Sequence, residues 1–293
     1  MQQRTLVCVI SQTREQEIVW DNFKKNVLDT LNADLALCIS VTDEYDYSNP
    51  YWQHAKYKWT SPEYTDWTDA FEFARQTDFS EATDDWKKIL TIPSNWMSPI
   101  NGYPGAGSIL IFFRWLLWHN LKKENIFKDY DRIIITRSDF MFLCPHPPME
   151  LLNPDYIWVP DGEHYGGITD RYAVLSEKNA EGYFSIMKHI ITNTDKLYNT
   201  LKQLQDEIQD EINLEKSVMK VLEFEFGPNS CRFFPYIMYS VRSKEGKTRW
   251  QTGYWVEELG YYVKYPSELQ RAQFFQQYIK TPEDWYRIAR QEE

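Results

Sequence analysis

The chain has 293 residues, 43% hydrophobic and 16% aromatic, enough for one large core or one core with a small appendage. Its 32 Lys and Arg stand against 43 Asp and Glu, a net charge of -11. No broad basic surface exists to neutralise phosphate backbones, so nucleic acid is not an expected partner.

The N-terminus, Met-Gln-Gln-Arg-Thr-Leu-Val-Cys-Val-Ile, enters a strand pattern with no long apolar h-region or small-residue cleavage site, which reads as not secreted and predicts a cytoplasmic location. Leu6 to Ser11 and Leu35 to Val41 read as two strands, separated by a helical stretch with Val19, Phe23, Val27 and Leu31 at spacings of four. That βαβ opening predicts a parallel sheet with a right-handed crossover. From Tyr45 to Met97 the chain turns aromatic and acidic, with Trp52, Trp59, Trp67, Trp86 and Trp96 among Asp, Glu and Thr. Lacking a clean period, this insertion is expected to hold one or two short helices and much loop. Asn101 to Ser108 is a glycine-rich loop opening a helix over Ile109 to Leu121. The apolar segment Ser108 to Leu121 carries Arg114 and His119 and is too short to cross a bilayer, so no transmembrane segment is expected.

Next comes Asp131-Arg-Ile-Ile-Ile-Thr-Arg-Ser-Asp139-Phe140, an apolar run bounded by charge. Such a run reads as a buried strand of a parallel sheet, and ligands of open α/β sheets bind beyond the carboxyl ends of those strands. Asp139 is therefore expected to face a pocket. A second strand, Tyr156 to Pro160, ends in Asp161-Gly-Glu-His-Tyr-Gly-Gly-Ile-Thr-Asp170-Arg171, again delivering polar groups and glycines to one place. Helical stretches follow over Gly182 to Thr192 and Lys196 to Phe224, the latter with Leu197, Leu201, Leu204 and Ile208 on one stripe. Phe233 to Val241 is expected as a last strand and Pro282 to Arg290 as a final helix. Cys8, Cys38, Cys144 and Cys231 show no C-x-x-C spacing and read as reduced core thiols.

The order Tyr130-Asp-x-Ile-Ile-x-x-Arg137-x-Asp139-Phe140, then a strand, then Gly166-Gly167-x-x-Asp170-Arg171-Tyr-Ala-Val174, resembles the nucleotide-sugar glycosyltransferases of GT-A-like fold found in bacterial surface-polysaccharide clusters and large algal viruses. In them an Arg-x-Asp element stands where many relatives carry Asp-x-Asp. The resemblance is firm over Tyr130 to Ser176, looser over Asn213 to Arg242 and absent from roughly 44 to 100. It implies an α/β, GT-A-like single domain over 1–293 with a mainly parallel, Rossmann-like central sheet flanked by helices. A nucleotide-binding half would occupy about 1–145, including the aromatic insertion at about 45–97, and an acceptor half about 146–293. The implied activity moves a monosaccharide from a nucleotide sugar, a uridine diphosphate sugar, to a glycan acceptor.

Such transfer needs the departing diphosphate neutralised, by a divalent cation (Mn²⁺ or Mg²⁺) on carboxylates or by positioned Arg and Lys groups. Asp139 is the candidate metal or sugar contact, or else caps the turn after its strand; with Arg at 137, a metal site would draw on one motif carboxylate. Arg137 points to the same side of the strand and is placed to pair with Asp139 or with a phosphate. Gly166 and Gly167 suit a loop wrapped over a donor, with Arg171 beside them and Asp170 a contact to sugar hydroxyls. If the reaction inverts the anomeric centre, Asp161, Asp170 and Glu215 are candidates to take the acceptor proton, Glu215 because similar enzymes place a Glu shortly after the long helix begins. Asp43, at the end of the second strand, reads as a ribose or base contact or a turn cap. Arg242 resembles the family's late Arg, a second diphosphate contact. The Gly105 to Ser108 turn offers backbone N–H groups to a phosphate, and the insertion's aromatics offer stacking faces for a glycan or packing onto the sheet. His164 reads as neither metal ligand nor acceptor contact.

A non-catalytic carbohydrate-binding protein on the same fold is the alternative, with a nucleotidyltransferase weaker still for want of a Gly-rich loop followed by Lys. Serine hydrolase, Rossmann dehydrogenase and zinc enzyme readings lack G-x-S-x-G, G-x-G-x-x-G and clustered His or Cys respectively. As a pocket carboxylate, Asp139 is expected to tolerate replacement by Ala without loss of fold.

Overall fold

The computed structural model describes residues 3–94, 96–102, 104–246 and 248–290. β1 (Thr5–Ser11) leads through α1 (Gln16–Phe23) and a wider helical run, Lys24–Asp29, to β2 (Asp34–Val41). The aromatic insertion supplies α2 (Pro50–His54), β3 (Tyr57–Pro62) and α3 (Trp67–Asp78). α4 (Gly107–Lys123) then crosses to β4 (Arg132–Thr136), followed at once by β5 (Phe140–Phe142). β6 (Ile157–Pro160) and β7 (Ala173–Leu175) precede α5 (Glu177–Tyr183), α6 (Ile186–Thr192), α7 (Thr194–Ile208) and α8 (Leu214–Phe226). The chain closes with β8 (Cys231–Phe234), β9 (Met238–Arg242), β10 (Tyr254–Val256), β11 (Tyr261–Val263), α9 (Pro266–Gln276) and α10 (Pro282–Ala289).

The central sheet has seven strands in the order β3-β2-β1-β4-β7-β6-β8; six run one way and β7 runs against them. This is the expected α/β architecture, a mainly parallel sheet flanked by helices. Its middle strands carry continuous apolar runs, 6–10, 35–39 and 133–135, because both faces are covered. Successive side chains alternate faces, so Leu6, Cys8, Ile133 and Ile135 join one core with α3, α4 and α6, while Val7, Val9 and Ile134 join another with α1 and α2. The four cysteines are free and buried. No helix among the described residues is long and apolar enough to cross a membrane.

A second sheet, β10-β11-β9-β5, is antiparallel throughout and packs on the second core. It alters two expectations. The run expected as one strand from Phe233 to Val241 is split between the two sheets, because Pro235 has no N–H to continue a ladder. β10, β11 and α9 lie where no element was expected. The long helical region also divides: Gln209 takes a left-handed φ of 55° that ends α7, and the Asn213 side chain accepts from the Lys216 N–H to start α8.

The insertion holds more order than expected. β3 extends the parallel sheet, and Trp59, Trp67, Trp86 and Trp96 are buried in the first core. Packing, not glycan stacking, accounts for these four; Trp96 alone among them also reaches a cleft.

Candidate active site

At the carboxyl edge of β1 and β4, Ser138 ties two loops together. Its hydroxyl donates to the Gln12 carbonyl (3.0 Å) and accepts from the Arg14 N–H (2.6 Å). The chain then passes from the large sheet to the small one through Asp139, whose carbonyl accepts from the Val241 N–H (3.0 Å). This crossing brings the end of β9, with Arg242, against Asp139. Lys264 follows β11 and donates its N–H to the Ser240 carbonyl (2.9 Å), so a second cation arrives beside the first.

Asp139 is 1% exposed and both its carboxylate oxygens are engaged. Arg137 donates to both its oxygens, Nε to Oδ1 at 3.0 Å and Nη2 to Oδ2 at 2.7 Å, and Arg242 Nη1 donates to Oδ2 as well. Burial alone would raise the pKa of this carboxyl, but Arg137 and Arg242, helped by Lys264 and Arg14, hold it well below the usual carboxylate range. The cations feel the crowding in return. Burial, then Arg137 and Arg242, push Lys264 down to about 6, and burial lowers Arg14 to about 10.

These groups line a cavity of about 100 Å³, together with Ser11, Gln12, Gly105, Ala106, Arg249 and Trp250. Arg249 and Trp250 come from the segment between β9 and β10, which reaches over the cavity and is held by an ion pair of Arg249 with Glu63, just past β3. Trp250 is 57% exposed, unusual for so large an apolar face. Five basic side chains therefore converge on one cavity, where Asp139 pairs with Arg137 and Arg242 and Glu63 with Arg249.

A wider cleft of about 490 Å³ adjoins, sharing Arg137, Gly105, Ala106, Leu110 and Trp250. Its chemistry is different, because Asp170 and Glu215 face it with Tyr165, Tyr265 and Asn213. Asp170 is held from behind by Arg114, a guanidinium 1% exposed in the middle of α4, which donates to the Asp170 carbonyl (2.6 Å) and to the Tyr183 hydroxyl (3.2 Å). Glu215 sits in the first turn of α8. Gly167 brings its loop onto that turn: a Cβ there would lie 2.2 Å from the Glu215 carbonyl oxygen, and Ile168 N–H donates to the same oxygen (3.1 Å). Burial, then the neighbouring Asp170, push the Glu215 carboxyl up to about 7.

Of the sequence-predicted residues, the structure brings Arg137, Asp139, Arg242, Asp170, Arg171 and Glu215 to these two adjoining spaces. Asp43 is exposed beyond β2 and lines neither; the carboxylate at this edge of the sheet is Glu63, because β3 lies outside β2 and carries its own end forward. Asp161 has a side chain 72% exposed and meets His164 at 3.5 Å, so it is a loop carboxylate outside the cleft. His164 lies inside that loop, with Gly162 N–H 3.2 Å from Nε2 and Thr169 N–H 3.2 Å from Nδ1, and its one unprotonated nitrogen accepts from whichever of the two it faces. Gly166 and Gly167 pack on α8 rather than lining either space. Arg171 touches the wider cleft, but its guanidinium is committed to the fully buried Glu268, which also accepts from Tyr236 and from Ser240 N–H.

Sequence reasoning missed Arg14, Lys264, Arg249, Trp250 and Arg114. Arg14 was legible by the strand-end rule that found Arg137, since it follows the apolar β1, whereas Lys264 follows β11, a strand too short to be read. Arg249 and Trp250 had no such signal.

The donor set at Asp139 does not suit the divalent cation expected there. Mg²⁺ and Mn²⁺ need open carboxylate oxygens, whereas both oxygens here accept from guanidiniums. Among the described residues no three His, Cys, Asp or Glu gather to ligate a metal.

No protein-family model matches the chain, and no curated protein does. Among solved structures, the apo form of mouse xyloside xylosyltransferase 1 is similar with a TM-score of 0.39, at 9% identity, over 80% of this chain and 85% of that one.

Proposed function

We propose that the protein is a glycosyltransferase of GT-A-like fold that moves a monosaccharide from a nucleoside diphosphate sugar, a uridine diphosphate sugar by the motif resemblance, to a hydroxyl of a glycan acceptor. The observation carrying this reading is the adjacency of a cationic cavity and a carboxylate-lined cleft across Arg137, at the carboxyl edge of a mainly parallel sheet. A diphosphate suits the first space and a sugar with its acceptor suits the second.

In that arrangement the bond between the anomeric carbon and the diphosphate oxygen breaks, and the electron pair leaves with the diphosphate. Arg14, Arg137, Arg242 and Lys264 surround the space where this charge grows. The acceptor oxygen bonds to the anomeric carbon and its proton passes to a carboxylate. Glu215, with its pKa near 7, is placed to take that proton, and Asp170 to bind sugar hydroxyls while keeping Glu215 basic. Arg114 fixes the backbone that carries Asp170. Exposed Trp250, over both spaces, offers a face for the base or sugar ring.

The test is a thermal-shift screen against nucleoside diphosphates and nucleotide sugars, since a ligand that binds only the folded state raises the melting temperature. A shift with one nucleotide sugar, followed by its turnover with a glycan acceptor, is expected. A cooperatively melting protein that responds to no nucleotide would refute the reading.

A further inference from the structure

Resting on the reading above, we infer that the diphosphate site is independent of metal: Arg14, Arg137, Arg242 and Lys264 stand in for the divalent cation, and Asp139 serves to orient Arg137 and Arg242. Three observations carry this. Asp139 accepts from Arg137 and Arg242 and is 1% exposed, so a metal would have to displace a buried guanidinium to reach it. Arg242 is 0% exposed and its Nε has no partner among the described residues, leaving a buried donor unsatisfied at the cavity wall. The cavity also gathers more cationic groups than carboxylates, the reverse of a site built for Mg²⁺ or Mn²⁺.

Lys264 adds a signature that a metal site would lack. It is 7% exposed, lies 5.1 Å from the Tyr265 ring centroid, and faces Arg137, Arg242 and Arg171 with Asp139 as the opposing charge. Without an anion it is depressed to about 6, so near pH 7.5 it is mostly neutral. A bound diphosphate supplies the negative charge that lets it take up a proton.

The experiment is calorimetric titration of the whole chain at pH 7.5 with a panel of nucleoside diphosphates and with inorganic pyrophosphate. It is run once with EDTA and once with excess Mn²⁺ or Mg²⁺. The expected result is an affinity in EDTA equal, within about threefold, to that with metal, and an observed heat that varies with the buffer's ionisation enthalpy. Lys264→Met is expected to abolish the buffer dependence and weaken pyrophosphate binding about tenfold, and the partly exposed Arg14→Gln to weaken it similarly without touching the Asp139 pair. Binding that appears only with metal overturns the inference while leaving the glycosyltransferase reading in place. Binding of no nucleoside diphosphate under either condition overturns both.

Discussion

Asp139 and Asp170 stand beyond the same edge of the same sheet, about thirty residues apart in sequence. The neighbours differ completely. Asp139 is enclosed by guanidiniums that donate to both its oxygens, so it is locked as a carboxylate and held out of proton exchange. Asp170 faces a wider space beside a second carboxyl, and the cation behind it, Arg114, binds its backbone and leaves the side chain alone. Burial with opposite charge produces a rigid electrostatic scaffold; in the cleft, burial beside the like charge of Asp170 makes Glu215 the group able to exchange a proton near pH 7. A motif centred on Asp139 thus marks the site without naming the residue that takes the proton.

The sharpest way to break this contrast is to remove the scaffold carboxylate. Asp139→Ala leaves the buried Arg242 with no counter-charge and strips the part-exposed Arg137 of its partner, and losing one member of a buried ion pair costs about 3–5 kcal/mol. Chemical denaturation should show that loss. The pairing of Asp139 with Arg137 and Arg242 thus predicts the opposite of what a pocket carboxylate suggests, and the denaturation curve decides between them.

In the cleft the outcome is opposite. Glu215→Gln should lower transfer by about 10²–10⁴-fold, the usual contribution of a positioned base, with substrate affinity little changed. It should also stabilise the protein at alkaline pH. Because the folded pKa of Glu215, about 7, lies above its ordinary value, its stability contribution is complete below about pH 4.5 and lost as pH rises through 7. Parent and variant should melt together at low pH, and at pH 8 the variant should be the more stable by about 1–2 kcal/mol, allowing for solvent screening. The parent's transfer rate should rise with pH across the same range. A flat profile through pH 6–8 would remove Glu215 from the role.

Trp250→Ala tests where the two spaces meet. Its exposed ring contributes little to the core, so stability should change by less than about 0.5 kcal/mol, while nucleotide-sugar affinity should fall about 5–10-fold from lost stacking. Equal affinity in calorimetry would place the base or sugar elsewhere.

The sheet was readable because buried parallel strands need continuous apolar runs, and β1, β2 and β4 carry them at 6–10, 35–39 and 133–135. β3, Tyr-Lys-Trp-Thr-Ser-Pro, escaped notice because it is an edge strand with alternating burial inside an aromatic, acidic background. β10 and β11 are three residues each and leave no period to detect. The site divided along the same physical line. Arg137, Asp139, Asp170 and Arg242 occupy ends of legible strands or matched motifs. Arg249 and Trp250 arrive from a long segment whose path depends on tertiary packing, and Arg114 looked like an interruption in an apolar helix until its partner 56 residues away was known.

The smallest expected effects come from the two acidic residues that sequence position favoured and geometry does not. Asp43 follows β2 where a nucleotide-binding βαβ unit often presents a carboxylate, but here β3 lies outside β2 and Glu63 takes the edge position, paired with Arg249 over the cavity. Asp161 follows β6, on the far side of β7 from the β1–β4 edge that carries Arg14 and Asp139. Its side chain is 72% exposed and meets His164 at 3.5 Å. Exposed carboxylates of this kind contribute within about 0.5 kcal/mol, so Asp43→Ala and Asp161→Ala should each leave the melting temperature, nucleotide affinity and transfer rate nearly unchanged. The paired control is Glu63→Gln, which frees Arg249 and should alter nucleotide affinity where Asp43→Ala does not. Should Asp43→Ala instead weaken binding by tenfold while Glu63→Gln is silent, the nucleoside would lie across β2, and the cavity framed by Arg249 would no longer be its seat.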